Sequence, residues 1–192
     1  MTDPNELART VAALAAALDA MSVSWAVGGS LASAAHGEPR ATNDVDVIAT
    51  LSEQQARELG MRLGEDFYID PDAAADAVRR RGSFNVIDKR SFIKVDIFVP
   101  AGGPLGVGQL DRRLHLDIFP GMHAVPVLGP EDIVLQKLRW YALGGEVSDR
   151  QWRDIVSVLR AASDEIDQPY LETVSAGEGL GTLLERARND AR

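Results

Sequence analysis

Asn43-Asp44-Val45-Asp46-Val47 is the stretch of this sequence that constrains the fold and the site most strongly. Aspartate is depleted in β-strands, yet here two aspartates alternate with β-branched valines. Because successive side chains on a strand point to opposite faces, Asp44 and Asp46 are predicted to share one face while Val45 and Val47 point to the other. Two such carboxylates are either solvated at the edge of a sheet or gathered around a cation.

A third aspartate interrupts a second apolar run, Lys94-Val95-Asp96-Ile97-Phe98, and its strand could pair near the first. Three carboxylates in one place repel each other unless cations lie between them. Magnesium held by carboxylates and substrate phosphates is the usual solution. A pair of metal ions about 4 Å apart would polarise an attacking hydroxyl and stabilise a leaving pyrophosphate.

The turn Gly28-Gly29-Ser30 lies between the apolar run 25–27 and a short predicted helix, 31–36. Backbone N–H groups and the helix dipole favour an anion at such a position, and two glycines let a phosphate approach closely. The alternative is that glycine only permits a tight turn and Ser30 caps the helix. A Rossmann-type site is less favoured, because no third glycine completes G-x-G-x-x-G.

Whole-chain composition limits the class of protein. The 192 residues, 45% of them hydrophobic, are enough to bury one core and a small appended subdomain. Cysteine is absent, so any metal must be bound by oxygen or imidazole. No run of about eighteen apolar residues and no basic N-terminal segment occur, so we expect a cytoplasmic protein with no membrane partner.

The formal net charge of -9 argues against a protein that coats nucleic acid nonspecifically, because such binding needs Lys and Arg to neutralise several phosphates. One local basic groove stays compatible with this charge, and so does a solvated basic face. The residues that could form the groove are Arg79, Arg80, Arg81, Arg112, Arg113, Lys137, Arg139, Arg150 and Arg153.

Periodicity and turn signals predict an α/β (α+β) protein in which helices flank a small mixed β-sheet. Strands are predicted at 25–27, 45–49, 84–87, 92–99, 115–119 and 124–128. Helices are predicted at 6–21, 31–36, 53–63, 71–80, 130–143, 148–162, 168–174 and 180–188. Two capping boxes compete to open the third helix, Thr50 with Glu53 or Ser52 with Gln55. We expect 1–128 to form the core and 129–192 a C-terminal helical subdomain packed on it.

These motifs together resemble the signature of the nucleotidyltransferase superfamily, whose members have the DNA polymerase beta-like fold. The residues that carry the resemblance are Gly28-Gly29-Ser30, Arg40, Thr42, Asp44-Val45-Asp46 and Asp96. The similarity is strongest to abortive-infection toxin nucleotidyltransferases and related uncharacterised bacterial proteins. It extends to Pro130-Glu131-Asp132, Lys137, Arg150, Arg153 and Asp154.

The resemblance implies transfer of a nucleoside monophosphate from a nucleoside triphosphate to a hydroxyl on RNA, protein or a small molecule, with Mg²⁺ or Mn²⁺ as cofactor. Asp44 and Asp46 would bind metal and triphosphate, while Asp96 would bind the catalytic metal and help activate the acceptor. Ser30 and the neighbouring amides would hold the terminal phosphates, and Lys137 would neutralise their charge. A toxin-like role with an antitoxin-like partner is also implied. A catalytically silent nucleotide-binding or partner-binding module is the alternative.

Two basic residues have open interpretations. Arg40 would contact phosphate or the loop leading to Asp44, or it is a surface arginine after Pro39. Lys137 lies on an i, i+4 stripe beside apolar residues. Its side chain would therefore either point toward a phosphate or bury its methylene groups and keep its ammonium group solvated.

The second half of the motif is less regular. The resemblance gives Arg150 and Asp154 an accessory role, but Asp154 falls opposite the apolar stripe of its helix. The pattern alone therefore predicts an exposed ion pair with Arg150. Arg153 stands where the toxin-like relatives carry lysine, and no histidine has a partner at metal-ligand spacing.

Overall fold

The computed structural model describes residues 3–39, 42, 44–103, 105–106, 108–119 and 121–192. Within these ranges seven strands form one mixed sheet and nine helices flank it. The predicted fold class, a mixed sheet flanked by helices, is confirmed. The division into a core and a C-terminal subdomain at residue 128 stays a prediction.

The strands are β1 Trp25–Val27, β2 Val45–Ala49, β3 Phe67–Tyr68, β4 Ser83–Asp88, β5 Lys94–Phe98, β6 Leu114–Leu116 and β7 Val125–Val127. The helices are α1 Pro4–Ala20, α2 Gly29–His36, α3 Glu53–Leu63, α4 Pro71–Arg79, α5 Gly108–Asp111, α6 Pro130–Leu143, α7 Asp149–Ala161, α8 Gln168–Gly177 and α9 Gly181–Ala191. Sequence patterns missed β3 and α5, because two and four residues are too few to show a period.

The sheet order is β3-β4-β5-β2-β1-β7-β6, so β2 and β5 lie near its centre. These two strands run parallel, and their register sets Val45 beside Val95 and Asp46 beside Asp96. The valines are completely buried, whereas both aspartates are only half-buried. Alternation along the two strands therefore gives the sheet an apolar face toward the core and an acidic patch on the other face.

The start of α3 shows which capping box the chain uses. The Gln55 N–H donates to Ser52 Oγ at 3.2 Å, and the Ser52 N–H donates to Gln55 Oε1 at 2.9 Å. The Gln55 side chain also donates to the Met21 carbonyl at 3.0 Å, which ties α3 to the end of α1. Thr50 instead donates its hydroxyl to the Ser24 carbonyl at 3.1 Å.

A buried polar cluster fixes α6 against α8. The Asp132 carboxylate is fully buried and accepts hydrogen bonds from Arg112 Nη2 at 2.7 Å and from the Tyr170 hydroxyl at 2.8 Å. The neighbouring Glu131 accepts from the Asp167 N–H at 2.7 Å. These contacts hold the first turn of the helix that carries Lys137. None of the helices in the described ranges has both the length and the apolar character needed to cross a bilayer.

Candidate active site

A cleft of about 730 Å³ lies over the acidic patch of the sheet. Strands β2 and β5 contribute its floor, and α6 and α7 contribute one wall. The predicted site residues that line it are Gly29, Ser30, Asp44, Asp46, Asp96, Lys137, Arg150 and Asp154. Gly28 lies directly behind them as the N-cap of α2, and Arg40 lies outside the described residues.

The three aspartates reach the cleft from two neighbouring strands. Asp46 and Asp96 occupy matching positions in the parallel β2–β5 pair, so their side chains lie next to each other on the same face. Asp44 comes just before β2, is exposed, and lines the same cleft. Strand pairing thus sets Asp46 beside Asp96, and Asp44 lines the same cleft, while their role as a set of metal ligands stays a prediction.

The glycine turn and the Asp46 carboxylate are in direct contact. Gly28 N–H donates to the Asp46 carbonyl at 2.9 Å, which joins the turn to β2. Gly29 has a φ of +53°, and a Cβ at this position would lie only 1.7 Å from Asp46 Oδ2. Glycine is thus required here both for the backbone conformation and for the space. Ser30 does not cap α2, since Gly28 holds the cap position, so the capping interpretation of Ser30 is wrong.

The surroundings of Asp46 disfavour its negative charge. Burial raises the pKa of the Asp46 carboxyl, and the neighbouring charges of Asp96 and Asp44 raise it further. A hydrogen bond from the Ser30 backbone N–H and the positive charge of Lys137 act in the opposite direction, but the net shift is upward. One of the amides predicted to hold phosphate therefore already donates to the Asp46 carboxylate.

Asp96 has a cationic neighbour in this structure. Lys94 lies two residues before it on β5, hence on the same face, and its Nζ is 2.8 Å from Asp96 Oδ2. As placed, no three His, Asp or Glu side chains within the described ranges form a set of metal ligands. The donors nonetheless suit magnesium, because all are hard oxygens and their repulsion is what a divalent cation would relieve.

Lys137 and Asp154 form an ion pair at the side of the cleft. The Lys137 ammonium donates to Asp154 Oδ2 at 2.8 Å, and both residues are buried. The prediction that Asp154 is exposed is therefore wrong, and of the two interpretations of Lys137 the solvated ammonium is wrong too. The apolar residues of α7 indicated only part of its buried face. A charged residue such as Asp154 is also buried when a partner on the neighbouring helix neutralises it.

Sequence patterns also missed part of the cleft. Trp140 and Leu143 line it from the end of α6, although both are more than half exposed. Arg81 and Arg139, which belong to the possible basic groove, line it too. The signal for Trp140 was its spacing of three residues from Lys137, and Leu143 follows Trp140 by three more residues, so each of these pairs is adjacent on the helix surface.

Comparison with known proteins identifies the fold. No protein-family model matches the chain, and a search of curated proteins finds no match. Among solved structures, an antigenic nucleotidyltransferase-like protein from Paracoccidioides brasiliensis matches with a TM-score of 0.57 and 19% identity, over 99% of this chain and 94% of that protein. The antibiotic-resistance factor ANT(2'')-Ia matches with a TM-score of 0.54 and 15% identity, over 97% of this chain and 99% of the ANT(2'')-Ia chain. The chain therefore has the nucleotidyltransferase fold.

Proposed function

We propose that this chain, which has the nucleotidyltransferase fold, transfers a nucleoside monophosphate from a nucleoside triphosphate to an acceptor hydroxyl in a metal-dependent reaction. The observation that carries the proposal is the register of β2 and β5, which sets Asp46 beside Asp96. The glycine turn contacts the Asp46 side chain, and the positive charge of Lys137 opposes the upward shift of the Asp46 pKa. The three aspartates, the glycine turn and Lys137 thus line one cleft.

Asp44, Asp46 and Asp96 would hold Mg²⁺, with Mn²⁺ as a substitute, which when bound polarises the acceptor hydroxyl and stabilises the departing pyrophosphate. The acceptor oxygen forms the new bond to the α-phosphorus while the bond between the α-phosphorus and the pyrophosphate oxygen breaks. The Asp96 carboxylate takes up the hydroxyl proton. Lys137, oriented by Asp154, neutralises triphosphate charge, and the open backbone of Gly28 and Gly29 admits the terminal phosphates.

To test the proposal, the purified protein is incubated with each radiolabelled nucleoside triphosphate, magnesium and a bacterial extract. The label is then measured in the RNA, protein and metabolite fractions. Wild type is compared with Asp46→Asn, which keeps the side-chain volume and removes the charge. Asp117→Asn is the matched control, because Asp117 is exposed and is not among the residues lining the cleft. We expect label transfer by wild type and the control only. Equal transfer by Asp46→Asn would refute the proposed role of this carboxylate.

One observation favours a second candidate, a silent nucleotide-binding module. The Lys94 ammonium forms an ion pair with the Asp96 carboxylate, to which a catalytic metal would have to bind. A silent module would bind nucleoside triphosphate in magnesium without forming product on any acceptor. Equilibrium binding measured beside the transfer assay separates the two candidates.

A toxin-like role, with an antitoxin-like protein partner that restrains it, belongs to the same proposal. Its motivation is the sequence resemblance to abortive-infection toxins. Induced expression in a bacterial host should stop growth with wild type and not with Asp46→Asn at equal protein levels. Growth arrest by both proteins would show that the acid pair is not its cause.

A further inference from the structure

The outer part of the cleft differs in character from the acidic floor. Here we define the mouth platform by five residues that line the cleft and are exposed to solvent, namely Arg81, Arg139, Trp140, Leu143 and Arg150. We infer that the mouth platform binds the end of a single-stranded nucleic acid, whose terminal hydroxyl is the acceptor. The inference rests on the proposed function and names its acceptor class.

Trp140 offers an open aromatic face beside the site. Its side chain is 55% exposed, whereas Trp25 is only 4% exposed and Trp152 packs on Tyr141 with ring centroids 5.0 Å apart. No ring or cation stacks on Trp140 in the described part of the chain. An exposed, unstacked indole in a cleft is a platform on which any nucleobase can stack.

Helix geometry sets this platform next to the reacting groups. Trp140 follows Lys137 by three residues, which is about 4.5 Å along the axis of α6 and close to the same face. Lys137 in turn lines the same cleft as Asp46. A base stacked on Trp140 therefore lies within one helical turn of the residue proposed to neutralise the triphosphate.

The charges of the mouth platform fit a polyanion. Arg81 and Arg150 are exposed, and no ion pair within the described ranges involves either of them. Arg139 has only a long contact, 3.8 Å from Glu178. In a chain of net charge -9, three guanidinium groups around one opening attract phosphates and repel a cationic acceptor.

The binding test uses a fluorescein-labelled single-stranded RNA 12-mer, and DNA of the same sequence, without nucleotide or metal. Fluorescence anisotropy reports the Kd. Trp140→Ala should weaken binding by about 5- to 150-fold, as expected for loss of one stacked base, while Trp140→Phe should keep most of the affinity. Because Trp140 is exposed, neither change should unfold the protein.

Salt dependence tests the arginines. Arg150→Gln should lower the slope of log K against log salt by about 0.7 for each lost phosphate contact. The matched control is Arg160→Gln, since Arg160 is exposed on the same helix but does not line the cleft. We expect its affinity and salt slope to equal those of wild type.

The outcomes separate this inference from the proposed function. The inference is supported if the RNA or the DNA 12-mer binds and this binding is weakened by the changes at Trp140 and Arg150. The oligonucleotide that binds more tightly identifies the preferred sugar, ribose or deoxyribose. Absence of binding, or equal binding by all variants, overturns it even if label still passes to protein or a small molecule. Conversely, oligonucleotide binding without any nucleotide transfer would refute the proposed function and leave the mouth platform as a nucleic-acid site.

Discussion

Lys137 and Asp154 join α6 to α7 through a buried ion pair, with Lys137 Nζ 2.8 Å from Asp154 Oδ2. Removing one partner of such a pair leaves a charge in a poorly solvated place, which costs about 3–5 kcal/mol. Asp154→Ala should therefore lower the free energy of unfolding by about 3 kcal/mol in urea denaturation. Asp149→Ala, at an exposed position on the same helix, should cost less than about 1 kcal/mol. Equal losses in the two variants would mean that the pair contributes nothing specific.

Gly29→Ala should abolish nucleotide transfer, because the new methyl group would occupy the position of the Asp46 carboxylate. The left-handed backbone adds a cost of about 1–2 kcal/mol to folding. The control is Gly179→Ala. Gly179 also has a positive φ, +71°, but a methyl group at this position would meet no atom within 4 Å. In transfer assays, activity should be lost only in Gly29→Ala. In urea denaturation Gly29→Ala should also be the less stable variant, because the Asp46 side chain has to move. Retained transfer in Gly29→Ala would contradict the proposed contact.

Thr10 and Asp88 connect α1 to β4 through a buried hydrogen bond of 2.7 Å. Burial tends to raise the pKa of Asp88, but hydrogen bonds from the Thr10 hydroxyl and from nearby backbone N–H groups outweigh it and lower this pKa. Folding is therefore stabilised above the unfolded pKa of about 4, and this stabilisation is lost as the pH falls through the lowered folded value.

Thr10→Val should accordingly cost about 1.5–3 kcal/mol at pH 7, and its difference from wild type should shrink as the pH is lowered below about 4. Urea denaturation over a pH series measures both effects. Thr173→Val, at an exposed threonine that donates to a backbone carbonyl, should show no such pH dependence. A constant difference between wild type and Thr10→Val would exclude Asp88 as the titrating partner.

Lys94→Ala should make magnesium binding easier, because the Lys94 ammonium competes for the Asp96 carboxylate. The Lys94 side chain is 45% exposed, and an exposed ion pair contributes at most about 1 kcal/mol. The magnesium concentration for half-maximal nucleotide binding should thus fall by up to about fivefold. Lys89→Ala, an exposed lysine outside the cleft, serves as control. A higher magnesium requirement in Lys94→Ala would show that this lysine assists the site.

Several features of the molecule were determined by short stretches of sequence. Alternation predicted the strand that carries Asp46, glycine predicted the turn at 28–29, and Ser148 predicted the start of α7. Each depends on interactions within a few residues, which a local pattern contains. Hence the α/β class and most elements could be predicted, while the magnesium site and the role of Arg40 stay predictions.

Tertiary structure decided what these elements do together. The register that sets Asp46 beside Asp96 joins strands 50 residues apart in sequence, and a one-residue slip would turn one aspartate to the other face. The burial of Asp154 required a cation from α6, and the place of Trp140 in the cleft required α6 to pack beside the sheet. A local pattern cannot specify these contacts, because residues far apart in sequence create them when the core closes.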